Sequence, residues 1–490
     1  MIIRSDIPTE VQTIADTLEN AGFEAYLVGG CVRDLLIGRT PKDWDITTTA
    51  RPTEIEALFN ETYCNNEYGT VGVVNEEASD VRVKVVEVTP YRSESEYSDR
   101  RRPDTVAFGV SLEEDLKRRD FTINALAYSL KNESIVDLFG GSDDIAHKRL
   151  KTVGDPSERF GEDALRMMRA VRLASELDFT IESETMTAIV SNNKLLSHIS
   201  IERIRDEFLR IIASDTPLQG IMLLERLGMI EYVLPEIKDA ILCEQNQAHA
   251  FDVYEHLLRT VQAAADKKFS LELRLAALLH DIGKPAARKW SSDKNDWTFH
   301  GHEVIGARMT RKILRHLKVS REMSEFVENL VRWHMFFSDP DEVTLAAVRR
   351  TIVRIGKDHI EDLLNLRICD RIGTGRPKEQ PFRFRKYKAM VDQALRDPVS
   401  VKMLKTSGEH IMEIAGEKPG KRIGYILHAL LEEVLENPAK NEKDYLESRI
   451  LELNALNDAE LYALANKGKE RQAAEEAAAL KEIERSHKVG

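Results

Sequence analysis

The sequence predicts an α+β fold: a small mixed sheet near the N-terminus, followed by a mostly α-helical body. Three observations predict it. Short β-branched runs, Val71–Val74 and Val81–Thr89, read as strands and lie within about the first 140 residues. From about residue 145 onward almost everything reads helical. The glycine pair in Asp137-Leu-Phe-Gly-Gly141 punctuates the change from one regime to the other. At 490 residues the chain exceeds one ordinary core, so several domains are expected. The expected segments are 1–145, 146–240, 241–375 and 376–490.

Hydrophobic content of 42% and charged content of 31% describe a globular chain. No apolar run is long enough to span a bilayer, and no basic-then-apolar leader is read at the start, so no membrane partner is expected. Cys31, Cys64, Cys243 and Cys369 are far apart and form no CxxC pair, which fits a reducing cytoplasm. A net charge of −13 argues against general nucleic-acid binding. Basic clusters at Arg100–Arg102, Arg118-Arg119 and Arg371–Lys388 leave room for local RNA contact; the last holds seven Lys/Arg against one Glu.

In the first segment, Tyr26-Leu-Val-Gly-Gly-Cys-Val-Arg-Asp34 reads as a glycine turn opening a short helix that carries Arg33. Asp43 and Asp45 follow, two residues apart on an expected strand, so both point to one face. Two carboxylates beside a turn that lets backbone approach phosphate suit a divalent metal and a nucleoside triphosphate. Glu87, an acid inside the apolar run Val85–Thr89, is a candidate third carboxylate. Arg118-Arg-Asp-Phe-Thr-Ile-Asn124 places two arginines and Asn124 where they could clamp a triphosphate and a ribose; a helix start capped by Asp120 or Thr122 is the plainer alternative. In Glu162–Arg172, helical spacing buries Ala164, Met167, Met168 and Val171 and puts Asp163 and Arg166 on another face, with Arg169 one turn on. Such a helix is most often a salt-bridged surface. Its Arg and Asp also match the hydrogen-bonding edges of cytosine and adenine.

These motifs, with Glu202-Arg-Ile-Arg-Asp-Glu207, resemble the class II tRNA nucleotidyltransferases, the CCA-adding enzymes, and their relatives the bacterial poly(A) polymerases. The resemblance covers roughly residues 20–230. It implies a polymerase-β-type head, a helical neck that selects the nucleobase, and template-independent addition of C, C and A from CTP and ATP to the tRNA 3′ end. It implies that Asp43 and Asp45 hold Mg²⁺. It implies that Gly30, Arg33, Arg119, Arg169 and Arg172 contact the incoming nucleotide, while Asp163 and Arg166 act as a protein template. The segment Arg92–Asp104 has the full length that accompanies addition of the terminal A.

A second constellation lies downstream. His280-Asp281 ends the apolar helical run Leu271–Leu279, with His256 before it and His302, His334 and Asp370 after it. Burying an adjacent His-Asp pair without partners or a metal is costly. The order His, His-Asp, His, His, Asp resembles the HD phosphohydrolase domain over about residues 250–375. That resemblance implies metal-assisted hydrolysis of a phosphoester such as an RNA-terminal cyclic phosphate or 3′-phosphate. Mixed imidazole and carboxylate ligands favour Mn, Fe, Ni or Zn over Mg.

RNA contact is expected from Arg349, Arg350, Arg354 and the Arg371–Lys388 run, with Phe382, Phe384 and Tyr387 interleaved. The Ala/Glu/Lys-rich tail from Leu461 carries no chemistry. The rivals are poly(A) or single-A addition by the same head, and an RNA phosphohydrolase whose head only binds nucleotide.

Overall fold

In the computed structural model, residues 2–64, 69–95, 105–247, 249–336, 343–376 and 378–466 are described. The Arg100–Arg102 cluster, most of Arg92–Asp104 and the tail beyond residue 466 lie outside the described residues. The chain forms two compact units, 1–233 and 234–490.

The first unit is built on a seven-stranded mixed sheet. Its strands are β1 (Ala25–Val28), β2 (Asp45–Thr48), β3 (Thr62–Cys64), β4 (Val71–Val74), β5 (Val85–Pro90), β8 (Leu126–Ser129) and β9 (Ser134–Asp137); β6 (Arg92–Ser95) and β7 (Thr105–Phe108) pair separately, as do β10 (Arg149–Leu150) and β11 (Thr180–Ile181). The order is β3-β4-β5-β2-β1-β8-β9, and β2 runs parallel to β5 among otherwise antiparallel neighbours. Leu27, Ile46, Val86 and Val88 pack with Val11, Ile14 and Leu18 of helix α1 (Thr9–Asn20) in its core. Removing such side chains from water is the main source of stability.

The run expected as one strand from Val81 divides. Val81–Val83 is a 3₁₀ turn, because the Asp80 carboxylate accepts from the Arg82 backbone N–H at 2.9 Å and draws the chain out of extended pairing. The strand proper begins at Val85.

Three short helices follow in the sheet layer: α2 (Gly30–Leu36), α3 (Pro52–Leu58) and α4 (Leu112–Lys117). The glycine pair at residues 140–141 starts α5 (Gly141–Ala146). Asp137 accepts backbone N–H groups from Gly140, Gly141 and Ser142, each at 2.9 Å. A Cβ on Gly141 would fall 2.2 Å from the Thr122 carbonyl, so only glycine lets this helix dock on the Arg118–Asn124 segment. Beyond it lie α6 (Pro156–Glu162), α7 (Leu165–Leu177), α8 (Ser183–Asn192), α9 (Ile201–Ala213) and α10 (Pro217–Arg226). Met167, Met168 and Val171 of α7, with Ala164 just before it, form the buried stripe that packs α7 against its neighbours.

Among its described residues the second unit is helical apart from one hairpin. Helix α11 (Val253–Asp266) packs on α12 (Leu271–Leu279) and on α17 (Ile360–Gly373). Between them come α13 (Lys284–Ala287), the hairpin β12 (Lys289–Ser291)/β13 (Asp296–Thr298), the packed pair α14 (His302–His316) and α15 (Arg321–Trp333), and α16 (Leu345–Ile355). Helix α18 (Phe382–Ala394) is followed among the described residues by α19 (Gly408–Ala415), α20 (Lys421–Glu436), α21 (Lys443–Asn454) and a last helical stretch over 458–466.

Candidate active sites

The head site forms where β1 ends. Gly29 turns with φ of 80° and ψ of −133°, a conformation glycine tolerates, and delivers the chain into α2. A Cβ on Gly29 would lie 3.1 Å from Arg119 Nη1 and 3.7 Å from Asp45 Oδ2. One on Gly30 would lie 3.6 Å from Arg33 Nη2 and 4.0 Å from Asp43 Oδ1. Two carboxylates and two guanidinium groups thus converge on one bare turn.

Asp43 departs from expectation in one respect. Strand β2 begins at Asp45, so Asp43 sits in the bend before it rather than one pleat along. Parallel pairing of β2 and β5 sets Asp45 directly beside Glu87. Asp43 and Glu87 are exposed and Asp45 is half-buried. Burial, Asp43 and Glu87 together push the Asp45 carboxyl up to about 7, against the pull of Arg119. Like charges gathered in this way suit a divalent cation.

The arginine motif is organised by a residue that pattern reading passed over. Asp115 of α4 is fully buried and accepts from Arg118 Nη2 at 2.7 Å, Arg119 Nη2 at 3.4 Å and Thr47 Oγ1 at 3.2 Å. Its helical offset of three and four from the arginines was the available signal. A polar thread continues from there. Arg33 Nη1 donates to Asn124 Oδ1 at 2.6 Å, Asn124 Nδ2 to Asp120 Oδ1 at 3.1 Å, and Arg169 Nε to Asp120 Oδ2 at 2.8 Å. Burial alone would raise the Asp120 carboxyl, but Arg169 and Asn124 outweigh it and hold it well below the usual carboxylate range.

Asp163 and Arg166 are not partners on one helical face. The helix breaks between α6 and α7, and Asp163 occupies the break with φ of −137°. Its Oδ1 accepts from the Leu165 N–H at 3.0 Å, and its Oδ2 pairs with Arg203 of α9 at 2.8 Å. Arg166 pairs instead with Glu162 and donates to the Arg118 carbonyl at 3.3 Å. Arg172 is buried, with Glu207 and Glu176 each 2.5 Å from its guanidinium. A cleft of about 460 Å³ opens beside Asp43, lined among others by Arg33, Arg39, Lys42 and Arg210.

In the second unit, His256, His280, Asp281, His302, His334 and Asp370 come together, all buried. They fall into two groups that share Asp281. Asp281 Oδ2 lies 3.1 Å from His256 Nε2 and 3.2 Å from His280 Nε2, with Asp370 Oδ1 3.3 Å from His256. Asp281 Oδ1 lies 3.1 Å from His302 Nε2 and 3.5 Å from His334 Nε2.

The tautomers follow from the backbone. His280, His302 and His334 direct Nδ1 at the carbonyls of Ala277, Phe299 and Val331, at 2.9, 2.7 and 2.7 Å. Each Nδ1 therefore carries a hydrogen, and each ring turns its Nε2 inward. The Nε2 atoms of His302 and His334 are 3.2 Å apart. Two lone pairs at that distance repel unless a cation joins them, so the residues fit a metal, and the nitrogen-rich set fits a transition metal. Protons otherwise do this work. Burial disfavours charge on His280, but Asp281 and Asp370 push it up to about 10. His334, desolvated and with only Asp281 for support, is held below its ordinary value. Burial works against the Asp281 anion too, yet His280 and Lys284 keep its carboxyl far below normal.

Two cations beside this cluster were not singled out from sequence. Lys284 Nζ is 2.6 Å from Asp281 Oδ2 and donates to Gln245 Oε1 at 2.6 Å. Arg367 Nη1 is 2.5 Å from Asp370 Oδ2. The cluster opens into a cleft of about 390 Å³.

The expected RNA-binding run divides between surface and core: Arg376, Lys378, Arg383, Arg385 and Lys386 are exposed, while two of its aromatics pack inward. Phe384 and Tyr387 are buried in the core under α18, whereas Phe382 is 71% exposed, so the aromatics do not form one stacking surface. Arg349 is buried and donates to Asp397 Oδ2 and the Leu435 carbonyl, both at 2.8 Å. Arg350 pairs with Glu432 and Glu436, Arg354 stacks over Trp333, and Lys388 pairs with Glu361.

Among the described residues no helix is long and apolar enough to cross a membrane. The poly(A) polymerase head domain family matches residues 25–151, the probable RNA- and SrmB-binding site of polymerase A matches 178–241, and the HD domain matches 253–372. A CCA-adding enzyme of Levilactobacillus brevis is 35% identical over 435 residues, covering 88% of this chain and 95% of that protein. One of Ligilactobacillus salivarius is 35% identical over 457 residues, covering 91% and 97%. A crystal structure of Bacillus stearothermophilus CCA-adding enzyme in complex with CTP superposes with a TM-score of 0.68 at 28% identity, covering 91% and 98%. The Thermotoga maritima CCA-adding enzyme complexed with tRNA shares the fold at a TM-score of 0.53 and 17% identity, over 91% of this chain and 97% of that one. Likeness of this extent, along nearly the whole of both sequences, makes the chain a member of the CCA-adding enzyme family of tRNA nucleotidyltransferases.

Proposed function

We propose that this chain adds C, C and A, from CTP and ATP, to the 3′ end of tRNA, and that its HD cluster hydrolyses phosphoesters. The observation that carries the first part is the convergence of Asp43, Asp45, Arg33 and Arg119 on the glycine turn, with Glu87 beside Asp45. Asp43 and Asp45 hold Mg²⁺, with Glu87 completing the acidic face. Mg²⁺ bound there supplies the positive charge that favours in-line displacement at the α-phosphorus. Gly30 leaves room for the triphosphate, and Arg33 and Arg119 take its oxygens. Asn124 steadies Arg33 and faces the ribose. The RNA 3′-hydroxyl gives up its proton to solvent as its oxygen bonds to the α-phosphorus, the bond from that phosphorus to the α,β-bridging oxygen breaks, and pyrophosphate leaves.

The neck reads the base. Asp163 offers acceptors and Arg166 donors, Arg169 holds the thread to Asp120, and Arg172 acts as a positioning residue through Glu176 and Glu207. The cleft beside Asp43, where Arg33, Arg39, Lys42 and Arg210 stand among Asp34, Asp43, Glu176 and Asp215, takes the backbone of the RNA end through those cations. Functionally, residues 1–145 form the head, 146–240 the neck, 241–375 the HD domain and 376–490 a helical RNA-binding body. Four free cysteines fit a reducing cytoplasm.

In the HD domain, His256, His280, Asp281, His302, His334 and Asp370 hold a transition metal, Mn, Fe, Ni or Zn. Such a metal supplies Lewis acidity toward a phosphoester. Lys284 and Arg367 neutralise the substrate phosphate and orient the two aspartates.

The test is incubation with tRNA lacking its 3′ end and CTP, ATP or both. Extension that stops at C-C-A supports the reading; long A tracts would make it a poly(A) polymerase, and no extension would overturn it.

A further inference from the structure

The hairpin β12/β13 is inserted in the chain between His280-Asp281 and His302, and its second strand forms a wall of the HD cleft. Trp297 lines that cleft together with Lys294 and the metal-ligand cluster; Trp290, its cross-strand partner, does not. Trp297 is held in place. The Arg288 guanidinium lies 3.8 Å over its ring, and Trp290 packs at 80° with ring centroids 5.1 Å apart. Arg288 is itself fixed by Glu244 at 3.1 Å, and Asp296 accepts from the Gln247 N–H at 3.2 Å. A hairpin tied down at both ends positions its indole firmly.

The lining of the cleft therefore has two unlike parts. One holds Asp281 and Asp370 with Lys284 and Arg367, suited to a phosphoryl group. The other holds a half-buried indole with cations around it. A substrate that is only a phosphate has no use for the second part. A planar, electron-poor ring joined to a phosphate spans both.

Resting on the HD hydrolase reading, we propose that this hairpin is a nucleobase-recognition wall: the cleft takes a nucleoside phosphate, with its phosphoryl group at the His/Asp cluster and its base against Trp297. The base is carried either by a free nucleotide or by the last residue of an RNA.

The experiment uses the full chain loaded with Mn²⁺ and three substrates: adenosine 3′-monophosphate, an oligoribonucleotide ending in a 3′-phosphate, and glycerol 2-phosphate, which has no base. In Trp297→Ala the preference for base-carrying over base-free substrate, read through KM, falls about tenfold, the scale of one base–aromatic stack. Trp297→Phe restores most of it. Trp290→Ala, which removes a packing partner of Trp297 but leaves the indole in the cleft, costs less of the preference than Trp297→Ala. Whichever base-carrying substrate has the lower KM identifies the source. An unchanged preference in Trp297→Ala, or an equal loss in Trp290→Ala, overturns the proposal. Quenching of indole fluorescence by adenosine 3′-monophosphate is measured alongside. Absence of hydrolysis with quenching that Trp297→Ala abolishes defeats the hydrolase reading and leaves the base wall standing. Hydrolysis without quenching or preference does the reverse.

Discussion

The two acidic centres of this chain are built on opposite plans. The head gathers three carboxylates at two central strands of its sheet, β2 and β5, two exposed and one half-buried, around a turn with no side chains. The HD cluster sinks four imidazoles and two carboxylates into a helical core and fixes three ring tautomers with backbone carbonyls. Oxygen-only, open and water-accessible donors suit an ion that arrives with its substrate and leaves with product. Nitrogen-rich, closed donors suit a resident ion. On the proposed reading, ligand softness and burial set, within one chain, which centre exchanges its metal and which keeps it.

The sharpest way to break this contrast is Asp45→Ala. Nucleotide addition should fall about a thousandfold or more, at ~1.4 kcal/mol per decade of rate, while phosphoester hydrolysis continues. If both activities fall together, the centres are not independent. Next is Asp281→Asn, which removes the carboxylate shared by both histidine groups. Bound transition metal, measured by elemental analysis, should drop to background and hydrolysis should fall about a hundredfold, with tRNA extension retained.

Smaller effects test the scaffolds behind the sites. Arg203→Ala frees Asp163, and misincorporation in a single-nucleotide extension assay should rise about tenfold, the equivalent of one partly buried ion pair at ~1.4 kcal/mol. Addition of the correct nucleotide should suffer less. Asp120→Asn tests the thread by pH. The folded carboxyl ionises well below its unfolded value, so it contributes stability above about pH 4 and loses it as pH falls below that. Denaturant unfolding should show the variant less stable at pH 7 by about 1.5–3 kcal/mol, the scale of hydrogen bonds to a charged group. Between about pH 5 and 3 its stability should fall less steeply than the parent's.

Much of this was legible in the sequence, and for identifiable reasons. The glycine turn, Asp43, Asp45 and the Arg118–Asn124 motif announce themselves because their chemistry is local. The HD cluster was legible because an adjacent His-Asp pair ends an apolar helix, where burial without purpose is expensive. Tertiary partners stayed hidden. Helical spacing puts Asp163 on one continuous helix with Arg166, but the break before Leu165 turns it to Arg203, some forty positions along the chain. Lys284 and Arg367 look like ordinary surface charges until the fold brings them onto Asp281 and Asp370. Phe384 and Tyr387 suggested RNA stacking because periodicity does not say what a helix packs against.

The run of contacts Arg33–Asn124–Asp120–Arg169 joins the phosphate-facing turn to the helix that begins beside Asp163. Its links are short and mostly charge-assisted, so its length is fixed before any ligand arrives. A nucleotide engaging both ends meets a ruler: a base that sits too high or too low shifts the phosphates off their marks. Discrimination between monomers would then be paid out as misalignment at the far end, with no need for a second proofreading pocket.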